Sequence, residues 1–190
     1  MGQYKAPAQV KLIIGLLGRD PHIIETARAH LAEKFGAEEE VLVPIPFVWT
    51  NYYEKEVGSS PVRSFVSYEK RIDREEIVEI KRGTNELELF LGVDGFRPVN
   101  LDPGYMTLGQ FFLATTKDQR QRVYIRDGIF VEPTLYFQDG RFMPFDWTYP
   151  DYRSEEYQGY LMSARTKLAQ QMRQARTPMQ EKKTKPEGRV

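Results

Sequence analysis

Residues 10–17, Val-Lys-Leu-Ile-Ile-Gly-Leu-Leu, form a short apolar run with almost no polar alternation. Such a run suits a strand buried on both faces, which has to be covered from both sides. Helix signals follow at once. Asp20 is placed to cap, Pro21 to open the first turn, and Ile23, Ile24, Ala27, Leu31 and Phe35 recur at helical spacing up to Gly36. A second strand is expected over 41–50, bent by Pro44 and Pro46, and a third over 62–68. Asp73 and Glu76 make a capping box, with Ile72 and Ile77 as its hydrophobic staple. From there Ile77, Ile80, Thr84, Leu87 and Leu91 predict a helix through Gly83 to about residue 91, in preference to a strand over 86–91. Asp94-Gly95 then turns the chain into a fourth strand over 97–101, and Pro103-Gly104 reads as a sharp turn.

The order β-α-β-β-α-β over residues 10–101 predicts an α+β protein with a ferredoxin-like unit. An antiparallel β-meander over 105–150 and an amphipathic helix over 154–175 extend it. The meander strands are expected at 111–116, 122–125, 129–137 and 142–145. Ser154 caps the helix, whose apolar side carries Tyr157, Tyr160, Leu161, Ala164, Leu168 and Met172. Residues 1–175 read as a single domain, and 176–190 as a disordered tail. There Arg176, Lys182, Lys183, Lys185 and Arg189 outnumber Glu181 and Glu187, and apolar residues are nearly absent. Weak, salt-sensitive contact with nucleic acid is the most such a tail offers; a solubilising terminus explains it as well.

The chain has no cysteine, which removes disulfides, thiolate metal sites and cysteine nucleophiles and suits a cytoplasmic setting. No apolar run is long enough to span a membrane, so no membrane partner is expected. His22 and His30 are the only imidazoles, and eight residues apart on one helix they cannot share a metal. P-loop, dinucleotide-fingerprint, zincin and nucleophile-elbow patterns are all missing.

Two constellations carry the chemistry. In Val99-Asn100-Leu101-Asp102, the amide and the carboxylate lie on one side of an extended segment. They are acceptors for a substrate hydroxyl or, through oxygen ligands, for Mg²⁺. Glu56, Glu86 and Glu88 are candidates to complete such a metal site. The second constellation is the hairpin around Arg126-Asp127-Gly128. Read as a three-residue loop, it pairs Val123 with Val131 and Arg122 with Glu132. Arg122, Tyr124, Phe130, Glu132 and Thr134 then share one face. A two-residue loop would put Glu132 on the apolar face, at a cost of several kcal/mol. Lys117 and Arg122 would hold an anion, Glu132 would orient Arg122, and Tyr124 would offer a hydroxyl. A solvated sheet face with one cross-strand ion pair fits the same pattern.

Asn85 and Tyr53 are further ligand candidates, Tyr53 from a polar, aromatic segment over 50–58 with the look of a pocket cover. The best functional reading is binding, with turnover by Asp102 and Glu132 an option, of a phosphorylated or nucleotide-like small molecule. An RNA- or protein-interaction domain and a metal-dependent hydrolase using Asp102 are the alternatives.

The segments 50–58, 99–105 (V-N-L-D-P-G-Y), 114–117, 122–135 and 147–152 (W-T-Y-P-D-Y), with Lys81 and Thr84-Asn85, resemble the bacterial and archaeal family of domain of unknown function 4416. Asn51, Val57 and Gln121 depart from that family's Asp, Met and His. The resemblance implies a compact cytoplasmic prokaryotic protein and no established activity.

Overall fold

The computed structural model describes residues 2–50 and 57–176. In chain order the elements are β1 (Val10–Gly18), α1 (Pro21–Phe35), β2 (Glu38–Pro46), β3 (Val62–Ile72), α2 (Ile77–Phe90) and β4 (Val99–Met106). Then come β5 (Gln110–Thr115), β6 (Val123–Arg126), β7 (Ile129–Gln138), β8 (Arg141–Pro144) and α3 (Glu155–Arg176). The eight strands form one sheet in the order β2-β3-β1-β4-β5-β7-β6, and β8 also pairs with β7. Every pairing is antiparallel, so the protein is α+β with an antiparallel sheet and a C-terminal helix.

β1 is buried along its whole length because it lies between β3 and β4 and under helices on both faces. Leu12, Ile14 and Leu16 face one core with Ile23, Ile24, Ala27 and Leu31 of α1 and Ile77, Val78 and Ile80 of α2. Ile13 faces the other core, with Phe65, Phe111, Leu135 and the α3 residues Tyr157, Tyr160, Leu161, Ala164 and Leu168. The exception in the apolar run is Lys11, fully buried on the α3 side. Its ammonium donates to Glu39 (2.6 Å), the Tyr68 carbonyl (3.1 Å) and Gln171 (2.9 Å), tying the end of α3 to the sheet.

The helix signals act as expected. Asp20 accepts from the Ile23 amide at 2.9 Å, and Glu76 accepts from the Asp73 amide at 2.7 Å. Ser154 Oγ accepts from the Tyr157 amide at 3.3 Å. α2 runs through Gly83 to Phe90, so the helical reading of residues 86–91 holds.

Three expectations change. Pro103 and Gly104 do not turn; they lie inside β4 opposite Ile14 and Ile13, because β1 offers them a continuous partner. The turn comes at Thr107, whose Oγ1 accepts from the Gly109 and Gln110 amides. β2 lies earlier than predicted, ending at Pro46, with a register shift between Leu42 and Ile45 that accommodates Pro44. In the β6–β7 hairpin the loop is the two-residue Asp127-Gly128, both with positive φ. Val123 still pairs with Val131, which keeps the buried Glu132 on the face where Arg122 pairs with it. A bulge between Tyr124 and Arg126 restores the register that a longer loop was expected to give. The apolar side of β6 is not buried, however; Val123 is 60% exposed.

Candidate functional site

The most ionic part of the interior lies on the α3 face of the sheet, at the end where β1 stops and β3 and β4 begin. The register lines up Arg63, Leu17 and Asn100 in one row, and Phe65, Gly15 and Asp102 in the next. Arg63 leans along this face across β1 to reach Asp102, with Nη1 to Oδ2 at 3.0 Å. Its Nη2 donates to the Tyr152 hydroxyl at 3.2 Å. Gly15 makes the crossing possible: a Cβ there would sit 3.0 Å from Arg63 Nη2 and 3.0 Å from the Phe65 ring.

Arg63 is buried, whereas the Asp102 side chain keeps 28% of its surface. Burial alone would raise the Asp102 carboxyl. The Arg63 guanidinium, the Lys81 ammonium and the nearby Asn100 amide outweigh it and hold the group below its ordinary value. Asp151, also buried, goes the other way: burial and the Asp102 charge raise it, against the pull of Arg63. The Tyr152 hydroxyl is pushed well up by burial. Two buried donors, Asn100 Nδ2 and Arg63 Nε, have no hydrogen-bond acceptor among the described residues. The Asn100 amide therefore helps Asp102 through its dipole, without a bond of ordinary geometry.

Asp151 and Tyr152 are brought here by a clamp. A register shift in the β5–β7 pairing leaves Thr134 unpaired between Pro133 and Leu135. The Pro133 carbonyl accepts from Trp147 Nε1 at 2.9 Å, and the Thr134 carbonyl from Thr148 Oγ1 at 2.6 Å. Those two bonds fix the corner that leads into residues 150–153.

The outer edge of β4 is closed by α2. β5 pairs with β4 only from Gly104 onward, so Leu101 presents an unpaired amide and carbonyl. Glu88 accepts from the amide at 2.6 Å and Lys81 donates to the carbonyl at 2.9 Å. Burial raises the Glu88 carboxyl, opposed by Lys81, the Leu101 amide and Arg97. Lys81, Asn85 and Glu88 share one stripe of the helix by their spacing, so Asn85 is placed beside this edge, half-buried. Alternation along β4 turns Pro103 N to the same outer side as Leu101, where its missing N–H leaves no gap in the ladder with β1.

The second constellation forms a separate unit. Arg122 Nε meets Glu132 at 2.7 Å, both side chains are almost fully buried, and Arg122 Nη1 donates to the Lys117 carbonyl at 2.9 Å. Glu132 thus holds Arg122, as expected, but the two bonds commit this guanidinium to the fold rather than to a ligand anion, and they leave Glu132 ill-suited to catalysis. Lys117 is exposed, and Tyr124 is 58% exposed with its ring edge-on to Phe130. Two strand spacings, roughly 10 Å, separate β4 from Glu132 on the same face. Cavities of about 370 Å³ and 510 Å³ lie elsewhere, the second beside Tyr136, Phe145 and Trp147.

The Mg²⁺ reading of Asp102 finds no support. Among the described residues no three metal-ligating side chains come together, and Asp102 faces cations instead. Glu88 is engaged with Leu101 and Arg97, and Glu86 is exposed. Tyr53, Glu56 and nearly all of the basic tail lie outside the described residues, as does most of the expected cover over 50–58. Among the described residues no helix is long and apolar enough to cross a membrane.

Sequence reasoning found Asn100 and Asp102 but missed Arg63, Asp151 and Tyr152. The signal was Gly15, a glycine inside an otherwise apolar strand, which marks a close approach. No curated protein and no solved structure matches the chain. The family model described as "Domain of unknown function (DUF4416)" matches residues 8–168, most of the sequence, and the chain belongs to that family.

Proposed function

We propose that the protein binds a phosphorylated or nucleotide-like small molecule at the Arg63–Asp102–Asn100 end of the α3 face. The observation that carries this reading is the pair of buried donors without acceptors, Asn100 Nδ2 and Arg63 Nε, in the same row as each other and beside a partly exposed carboxylate. A buried donor left unbonded costs about 1–3 kcal/mol. A phosphate or ribose oxygen satisfies such donors, while Asp102 accepts from a ligand hydroxyl or base N–H. Lys81 and Asn85 border the site from α2. Asp102, held ionised, and Asp151, held protonated to higher pH, supply a base and an acid if the bound molecule is turned over.

Asn100→Ala tests this while leaving both members of the Arg63–Asp102 ion pair in place. Wild-type protein is expected to gain thermal stability from one class in a panel of nucleotides and sugar phosphates. The variant is expected to fold as well as wild type and lose that gain. A panel that leaves the wild-type melting temperature unmoved removes the reading.

The strand order β2-β3-β1-β4 over residues 10–106, with α1 and α2 on one face, supports reading that part as a ferredoxin-like unit extended by β5–β8 and α3. A cytoplasmic setting fits the cysteine-free sequence.

A further inference from the structure

We propose a second ligand site on the opposite face of the sheet, between α1 and α2, for a small amphipathic anion: one hydrocarbon chain ending in a carboxylate or phosphate. A cavity of about 370 Å³ lies there, at the small end of the roughly 300–1,000 Å³ usual for ligand pockets. Its floor is the apolar core itself, Leu12, Ile72 and Ile80, and Phe35 forms a wall. This is a place for a hydrocarbon chain, because burying more apolar surface against it is favourable.

The rim sets the sign of the headgroup. Lys34 and Lys70 line the cavity, and no hydrogen bond or ion pair joins either ammonium to another described residue. The two rim carboxylates are already committed. Glu76 accepts from the Asp73 amide at 2.7 Å, and Glu79 pairs with Arg126 at 2.5 Å. Arg126 also pairs with Asp127 at 2.8 Å, so it adds no net charge at the opening and the two lysine ammoniums alone favour an anion there.

Gly83 adds an independent observation. A glycine inside a helix costs about 1 kcal/mol, and here it leaves room for Lys34: a Cβ on Gly83 would lie 2.1 Å from Lys34 Nζ. The ammonium from the end of α1 is therefore set against α2, 5.7 Å from the Phe35 ring centre, at the wall of the cavity.

The test is calorimetric titration of the full chain with decanoate, decyl phosphate, decanol and decylamine, each below its micelle-forming concentration. The two anions are expected to bind saturably with one site per chain, and decanol roughly tenfold more weakly, as for loss of a charge-assisted bond. Both lysines are exposed, so Lys34→Gln/Lys70→Gln is expected to keep its melting temperature, to bind decanoate roughly tenfold more weakly and to lose the preference over decanol. Absence of decanoate binding to wild type overturns the proposal. So does equal affinity for decanoate, decanol and decylamine, or an unchanged decanoate affinity in the double variant.

Discussion

Arg63 and Asp102 illustrate how a buried pair depends on both members. Removing Arg63 leaves the Asp102 carboxylate beside Asp151 with Lys81 and Asn100 as its remaining favourable neighbours, so Arg63→Met is expected to cost about 3–5 kcal/mol in urea denaturation. Asp102→Asn gives a pH signature. The folded pKa of Asp102 lies below its ordinary 3.8, so its stabilisation is present above that value and is lost as pH falls through the lower folded pKa. Asp151, raised in the folded protein, has the opposite sign: its contribution is present at low pH and lost as pH rises through its raised pKa. The stability gap between wild type and Asp102→Asn is therefore expected to be widest well above pH 3.8 and to shrink as pH falls below that value through the lower folded pKa. A gap independent of pH would mean that the carboxylate charge is not what Arg63 stabilises. At this scale the sequence was legible only along a strand. Period-two spacing puts Asn100 and Asp102 together whatever the topology. Arg63 joins them because β1 runs between β3 and β4, and strand order is not written in local spacing.

The elements that shape the site are joined by irregularities. The unpaired residue in β7 frees two carbonyls, and Trp147 and Thr148 close them, which is how a segment after β8 comes to lie over Arg63. Thr148 Oγ1 also accepts from the Phe145 amide at 2.8 Å. Thr148→Val keeps the shape and breaks both bonds at a buried position, so it is expected to cost about 1–3 kcal/mol. The half-exposed neighbour Tyr149 serves as a control, and Tyr149→Phe is expected to stay within about 0.5 kcal/mol in the same urea titration. These irregularities are also where sequence reading failed. The face of Glu132 followed from the cost of burying it without a partner, but a bulge at Ile125 and a longer loop satisfy that constraint equally. Pro103-Gly104 carries a strong turn signal, yet a strand that already has β1 beside it absorbs both residues. Helices were more legible, since caps and 3.6-residue spacing are local, and the stretch through Gly83 to Phe90 was read correctly.

At the scale of the molecule, two cores share a single sheet, and β1 supplies alternate residues to each. Leu12, Ile14 and Leu16 belong to the α1–α2 layer and Ile13 to the α3 layer. Neither layer can open without exposing the back of the strands that floor the other. The buried Lys11 strengthens this link: its ammonium needs Glu39 of β2, the Tyr68 carbonyl of β3 and Gln171 of α3 together, and losing α3 would leave it with an incomplete shell. Burial has already lowered its pKa, against the support of Glu39. The two layers are thus expected to unfold in one transition. Leu168→Ala, which removes a fully buried side chain from the α3 core, is expected to cost about 2–5 kcal/mol. The measurement is urea unfolding followed in parallel by far-ultraviolet circular dichroism and by the fluorescence of Trp147, with Trp49→Phe as background. Coincident curves, shifted equally by Leu168→Ala, follow if the sheet couples the layers. If α3 melted first while the helical signal of α1 and α2 persisted, the α3 layer would be an appendage to an independently stable sheet, and the polar end it covers would be free to open by itself.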